Sequence, residues 1–356
     1  MSKAFDVITH EILLKKLEIY EIRGLANDWF RSYLTNRTQF VNYDEINSTY
    51  ANIRCGVPQG SILGPILYLI YVNDMDDGLS CNISKFADDT KIYSTVRDTQ
   101  EGVQMQNDLD KLLEWSRKWQ MQFNTSKCKT LHFGKSNPKC TYLMNSETLR
   151  TDDHEKDLGV EIHTSLKPEK HIDTVVSKAN RILGMINRSV QYKGKDCILP
   201  LYTALVRPHL EYAVQAWAPH YNKDIEKIEN VQKRALKMIS DAEISNIGYE
   251  DKLRKLKLFS MKKRRLRGDL IETFKIMKDI DKIASATFFT KSTYTRTRGH
   301  EFKLVKSKVR TDIRKYFFSQ RIVDDWNKLP KSVVDSSSLE TFKLKLDKYF
   351  EEVGVI

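Results

Sequence analysis

Apolar residues recur with a period near two along 82–86 (Asn82, Ile83, Ser84, Lys85, Phe86) and again along 90–94 (Thr90, Lys91, Ile92, Tyr93, Ser94), which predicts two short strands. Ala87, Asp88 and Asp89 then form the turn between them, so a hairpin carries two carboxylates at its tip. Upstream the period becomes helical. Ile12, Leu13, Leu17 and Ile19 predict a helix over 10–22 that Gly24 stops, with His10 as a surface residue at its start. A second short helix follows over 27–34, and 38–43 with 48–54 reads as a hairpin closed by the polar turn 44–47. Gly56, Pro58 and Gly60 deny regular structure until Ser61, which suits the N-cap of a helix over 62–75.

Beyond the acidic hairpin, Met105, Leu109, Leu112, Leu113, Trp115 and Trp119 form the apolar stripe of a long helix, 98–119, and are read as core. A loop and strand over 121–133 and hairpins over 142–150 and 155–164 complete the mixed part. From Pro168 the pattern is helical. Ile172, Val175, Val176, Ala179, Ile182, Leu183 and Ile186 share one face of 170–188, with Lys178, Arg181 and Arg188 elsewhere on it. Further helices are expected over 195–202, 208–217, 224–239, 262–274, 314–329 and 338–351, with an exposed loop at 289–300.

Composition narrows the class. A chain of 356 residues with 40% hydrophobic content supports two or three packed domains, and a net charge of +12 is compatible with a polyanionic partner. The five cysteines are odd in number and never spaced C-x-x-C, so they read as reduced thiols with no zinc site and no disulfide-linked partner. The longest apolar run, 62–72, is interrupted by Gly64-Pro65 and is too short for a bilayer, and no signal peptide is expected at the start. A soluble, intracellular protein of nucleus or cytoplasm is expected. His163 and His171 have no metal-cluster spacing and suit surface or cap positions. Lys262, Lys263, Arg264, Arg265 and Arg267 crowd six positions, as a solvated face, a nuclear-localisation signal or a set of phosphate contacts.

Adjacent carboxylates repel unless a cation relieves them, and hard oxygen ligands suit Mg²⁺. An Asp-Asp turn alone is more often only an acidic turn. Here it follows 56–75, GVPQGSILGPILYLIYVNDM, and lies within 85–93, KFADDTKIY. Together these resemble motifs B and C of the reverse transcriptases of non-LTR (LINE-type, jockey-like) retrotransposons. Ser2-Lys3-Ala4-Phe5-Asp6 resembles the tail of their motif A, 121–133 their motif D, and Leu158-Gly159-Val160 their motif E hairpin.

The resemblance implies an α+β fold. A right-hand polymerase palm, an antiparallel sheet with packed helices, would span 1–165 without fingers. A helical thumb (166–205) and a basic helical C-terminal extension (206–356) would follow. It implies RNA-directed DNA polymerase activity with an RNA template, a DNA primer and deoxynucleoside triphosphates, and two Mg²⁺ ions. Asp88 and Asp89 would be catalytic and hold metal, Phe5 would pack under the incoming sugar, Gln59 and Gly60 would align template and nascent pair, and Lys127 would assist the leaving pyrophosphate. In the family the first metal-binding Asp lies five positions before that aromatic, which here precedes Met1, so the chain as written is expected to extend primers poorly. The alternatives are a catalytically silent remnant that binds nucleic acid and a reading frame whose product is not stably folded.

Overall fold

The computed structural model describes residues 4–292 and 299–353, so Ser2 and Lys3 of the motif A tail and the stretch 293–298 of the expected loop lie outside the described residues. The chain divides into two compact units, Met1–Asp153 and His154–Ile356. Both helices and small sheets are present, which makes the fold α+β.

In the first unit, α1 (His10–Ile19), α2 (Leu25–Leu34), α3 (Leu63–Val72) and α4 (Thr99–Lys118) surround one core. Leu13, Leu14 and Leu17 of α1 pack with Leu67, Tyr68 and Tyr71 of α3 and with Leu112 and Trp115 of α4. Leu109 of the same stripe joins Tyr142, Met144 and Leu149 in a second cluster. Trp115 and Trp119 are structural, as their periodicity predicts. Trp115 Nε1 donates to Asp74 at 2.9 Å, and Trp119 lies 3.9 Å beneath the ammonium of Lys16. Lys16 is 2% exposed, is paired with Asp74 at 2.6 Å, and is pulled below its ordinary pKa by burial, against the pull of Asp74. The start of α4 is capped reciprocally: the Asp98 carboxylate accepts from Glu101 N–H, and Glu101 reaches back to Arg97 N–H.

Local chemistry moves several expected boundaries. Gly24 does not stop α1; with φ +56° it precedes α2 as its N-cap. His10 is buried, its Nε2 donating to the Gly56 carbonyl at 2.7 Å. The Ser61 hydroxyl accepts from Gly64 N–H at 2.9 Å and donates to Pro58 O at 2.7 Å, so it does cap the turn that opens α3. Past Val72 that helix tightens into the 3₁₀ turn Asn73–Asp76.

The sheet differs from one continuous antiparallel sheet. The described strands form six two-stranded ladders, one of them parallel, between Lys129–Leu131 and Arg150–Asp152. Strands of two to five residues, most closed by two-residue turns, leave little edge for a third partner. Asp44-Glu45, Asn145-Ser146 and Leu158-Gly159 all take positive φ at both central positions, the backbone of type I′ turns.

The second unit begins with the hairpin His154–Asp157 and Val160–His163 and continues as helices. In α5 (Glu169–Ser189) the predicted face is inward, with Ile172, Ala179, Leu183 and Ile186 buried. A second core holds Leu270, Phe274, Trp326, Phe342 and Leu346. The helix Met261–Met277 supplies Met261 to the first core and Leu270 and Phe274 to the second. Two expected helices are broken. The 208–217 segment bends at Ala213, φ +51°, where the Tyr212 carbonyl accepts from Trp217 Nε1 at 2.8 Å. The 314–329 segment is three short helices, Asp312–Lys315, Phe318–Arg321 and Val323–Lys328, and Arg321 Nη1 donates to the Tyr316 carbonyl at the first break.

The crowded basic run on Met261–Met277 is not a solvent-facing or phosphate-facing patch. Arg264 is paired with Glu211 through both carboxylate oxygens and Arg267 with Asp347 at 2.6 and 2.9 Å. Lys263 and Arg265 are buried, and burial holds Arg265 down at about 10. Distant carboxylates take up Arg264 and Arg267, burial hides Lys263 and Arg265, and Lys262 is left exposed.

Candidate active site

The first unit draws three sequence-distant stretches together. Residues 5–9 run antiparallel to 55–57: Gly56 N–H donates to Ile8 O at 2.8 Å, Val57 N–H donates to Phe5 O at 2.9 Å, and Thr9 bridges Cys55. Only glycine suits position 56. Its φ is +88°, and a Cβ there would lie 3.0 Å from the backbone of Asp6. From α3, Tyr68 then reaches both neighbours. Its ring stacks on Phe5 with centroids 4.6 Å apart, and its hydroxyl donates to the Ala87 carbonyl in the hairpin turn at 3.0 Å.

The hairpin itself is tighter than expected. Phe86 pairs with Asp89, so the turn is Ala87-Asp88 alone and Asp89 is the first residue of the returning strand. A two-residue turn matches the twist of the flanking strands, and Ala87 accepts φ +50° to make it. Asp88 is half-buried at the turn, and Asp89 is exposed beside Phe86. Their charge reaches Tyr68, whose phenol is pushed up to about 12 by burial and then by Asp88 and Asp89. Lys85, the nearest cation before the tip, turns back to the end of α3. It bonds Asp76 at 2.5 Å and holds that carboxyl below its ordinary value.

The other expected site residues lie as follows. Gln59 and Gly60 are exposed in the loop before α3, Gly60 with φ +77° and open space where a side chain would start. Gln59 Nε2 donates to the Asp6 carboxylate at 2.8 Å, a contact the sequence did not suggest. Lys127 is exposed at the end of the 3₁₀ turn Thr125–Lys127, ahead of the strand Lys129–Leu131. Tyr68 itself escaped the sequence reading. The signal was a phenol inside an otherwise apolar helix, since a buried Tyr hydroxyl needs an acceptor. The tip carries two carboxylates, hard oxygen donors of the kind that suits a divalent cation such as Mg²⁺.

The acidic hairpin tip, the glycine-bounded loop and the stacked aromatic pair all fall within the first unit. The chain belongs to the reverse transcriptase (RNA-dependent DNA polymerase) family, which matches residues 1–184, and its relatives place it with the non-LTR, LINE-type members. It is similar to the RNA-directed DNA polymerase from mobile element jockey of Drosophila funebris, 30% identical over 264 residues, and to that of Drosophila melanogaster, 26% identical over 261. The probable RNA-directed DNA polymerase from transposon X-element of Drosophila melanogaster is 27% identical over 260 residues. Each match covers 68% of this chain and spans 28% of the relative's length. All five cysteines are free, and no helix among the described residues is long and apolar enough to cross a membrane.

Proposed function

We propose that this chain supplies the catalytic palm and thumb of an RNA-directed DNA polymerase, adding deoxynucleotides to a DNA primer on an RNA template. The observation that carries the reading is the seating of the motif A tail and the acidic turn on one tyrosine, Phe5 on its ring and Ala87 on its hydroxyl. Asp88 and Asp89 would hold Mg²⁺, which in this chemistry neutralises charge on the attacking and leaving oxygens. Phe5, braced by Tyr68, would pack against the incoming sugar. Gln59 and Gly60 would align the template pair, with Asp6 fixing the Gln59 amide, and Lys127 would face the leaving pyrophosphate. Positioning and charge stabilisation are the protein's share of such a reaction.

The palm would run to 165 and the thumb over 166–205, with 206–356 as an extension. On α5 the exposed Lys170, Lys178, Arg181 and Arg188 follow helical spacing along one face, and this stripe would lie on the duplex backbone. Its acids, Glu169 and Asp173, are turned to Lys223 and Lys227. The test is exchange: residues 1–184 replace the matching region of the jockey polymerase, and extension of oligo(dT) on poly(rA) is measured with Mg²⁺. Extension that Asp88→Asn lowers by on the order of a thousandfold supports the reading, since a lost charged ligand costs several kcal/mol and each ~1.4 kcal/mol is tenfold. Extension unchanged by Asp88→Asn would reject it.

A further inference from the structure

Most cations of the run 262–267 are taken up inside the second unit, and the same unit carries a basic segment that is not. Between Leu304 and Thr311 the chain reads Val305-Lys306-Ser307-Lys308-Val309-Arg310. Residues 305–309 form no helix, strand or turn; Lys306, Ser307, Lys308 and Arg310 are exposed, and Val309 is half-buried. Both ends of the segment are tied down. Leu304 is buried, its N–H donates to Asn327 Oδ1 at 2.9 Å, and its carbonyl accepts from Asn327 Nδ2 at 2.8 Å. Val305 N–H donates to the Thr290 carbonyl at 2.8 Å. At the far end the Thr311 hydroxyl accepts from Arg314 N–H and caps the helix Asp312–Lys315.

The strap between these ties is open in two respects. No backbone N–H or carbonyl of 306–310 makes a hydrogen bond among the described residues. Lys308 and Arg310 have no ion pair among the described residues either, and Lys306 meets only Asp324. That pair is exposed on both sides, where ion pairs are weak, so Lys306 is easily released. In an extended chain alternate residues share a side and stand about 6.6 Å apart. Lys306, Lys308 and Arg310 then form one row, with Ser307 and Val309 on the other side. A row of cations alone suits any polyanion, and the open backbone narrows the partner. A phosphate offers only acceptors, so it answers N–H groups and not carbonyls. A peptide laid extended in a protein groove is read through both.

We propose that 306–310 is a nuclear address, taken as an extended peptide by an acidic protein groove of the kind that import adaptors present. Lys306, Lys308 and Arg310 are the cations read, and short Lys/Arg-rich segments serve as such addresses. The proposal stands apart from the polymerase reading, since the strap lies outside the family match at 1–184.

The experiment is equilibrium binding of the purified full chain to an armadillo-repeat import adaptor, beside its binding to a nucleic-acid duplex at several salt concentrations. The parent is expected to bind the adaptor, and Lys308→Ala with Arg310→Ala to weaken that binding on the order of tenfold or more. Ser307→Pro keeps every charge and removes one N–H, so it should weaken the adaptor and leave the salt slope on the duplex unchanged. Melting temperature should stay at the parent value in these variants, since the altered side chains make no bond among the described residues. A parent that does not bind the adaptor overturns the proposal, as does adaptor binding that both variants leave unchanged. A double variant that lowers the duplex slope by roughly 0.9 per cation, with adaptor binding intact, overturns it too and makes the strap a nucleic-acid contact. In cells, a tandem fluorescent fusion of the full chain, too large to diffuse through nuclear pores, should be nuclear in the parent and cytoplasmic in the double variant. A double variant that remains nuclear places the address elsewhere and overturns the assignment.

Discussion

At the scale of single residues, Tyr68 couples the motif A tail to the acidic turn. Tyr68→Phe keeps the stack on Phe5 and loses the bond to Ala87 O, so it is expected to cost about 0.5–1.5 kcal/mol of stability, read as a shifted urea midpoint with unchanged slope. Tyr68 and Tyr71 are both pushed up to about 12, chiefly by burial. A group that binds its proton more tightly when folded stabilises the fold fully below its unfolded pKa, near 10, and loses that contribution as pH rises through the folded value. Stability should therefore fall between about pH 10 and pH 12, and fall less in Tyr68→Phe; an equal fall in both proteins would remove Tyr68 from the account. The hairpin that carries the two aspartates was legible from the alternation that flanks them. Tyr68 was not, nor was the Gln59–Asp6 bond, because each depends on which loops meet and not on what lies beside it in the chain.

Among the elements, the helix Met261–Met277 is the clearest case of tertiary structure overriding local pattern. Five cations in six positions read as a surface feature, and yet Glu211 and Asp347, each more than fifty residues away, absorb two of them. Arg264→Gln and Arg267→Gln should each destabilise the second unit, by about 1–3 kcal/mol for a partly buried pair left half-made, and leave the salt slope of duplex binding unchanged. The stripe on α5 should behave in the opposite way: Arg181→Gln or Arg188→Gln lowers the slope by roughly 0.9 each and leaves the melting temperature within a degree or two. A slope that follows the 261–277 variants and ignores those on α5 would reverse the assignment. Helices with long stripes, such as 98–119 and 170–188, were read correctly since burial of one face dictates the period. Those at 208–217 and 314–329 were not: at each break a side chain five residues on takes up a backbone carbonyl, Trp217 that of Tyr212 and Arg321 that of Tyr316.

For the whole molecule, the chain is two units, each with its own cores, and the acidic hairpin and the α5 stripe lie in different ones. Residues 154–353 produced alone should unfold cooperatively and keep the salt-dependent duplex affinity of the full chain. Loss of that affinity with helical content intact would mean that the stripe does not carry it. The family was legible because its motifs lie in contiguous runs, 56–75 and 85–93. The division at 153/154 was not, since nothing in composition marks the step between the parallel ladder and the next hairpin.

Asp88 in the two-residue turn and Asp89 beside it are proposed as a divalent-metal site. Mn²⁺ binding to the full chain, followed by electron paramagnetic resonance of the free ion, tests it without requiring turnover. The account predicts a site in the parent that is lost in Asp88→Asn and weakened in Asp89→Asn, while circular dichroism is unchanged in both. Equal Mn²⁺ uptake by the parent and by the double variant would contradict it.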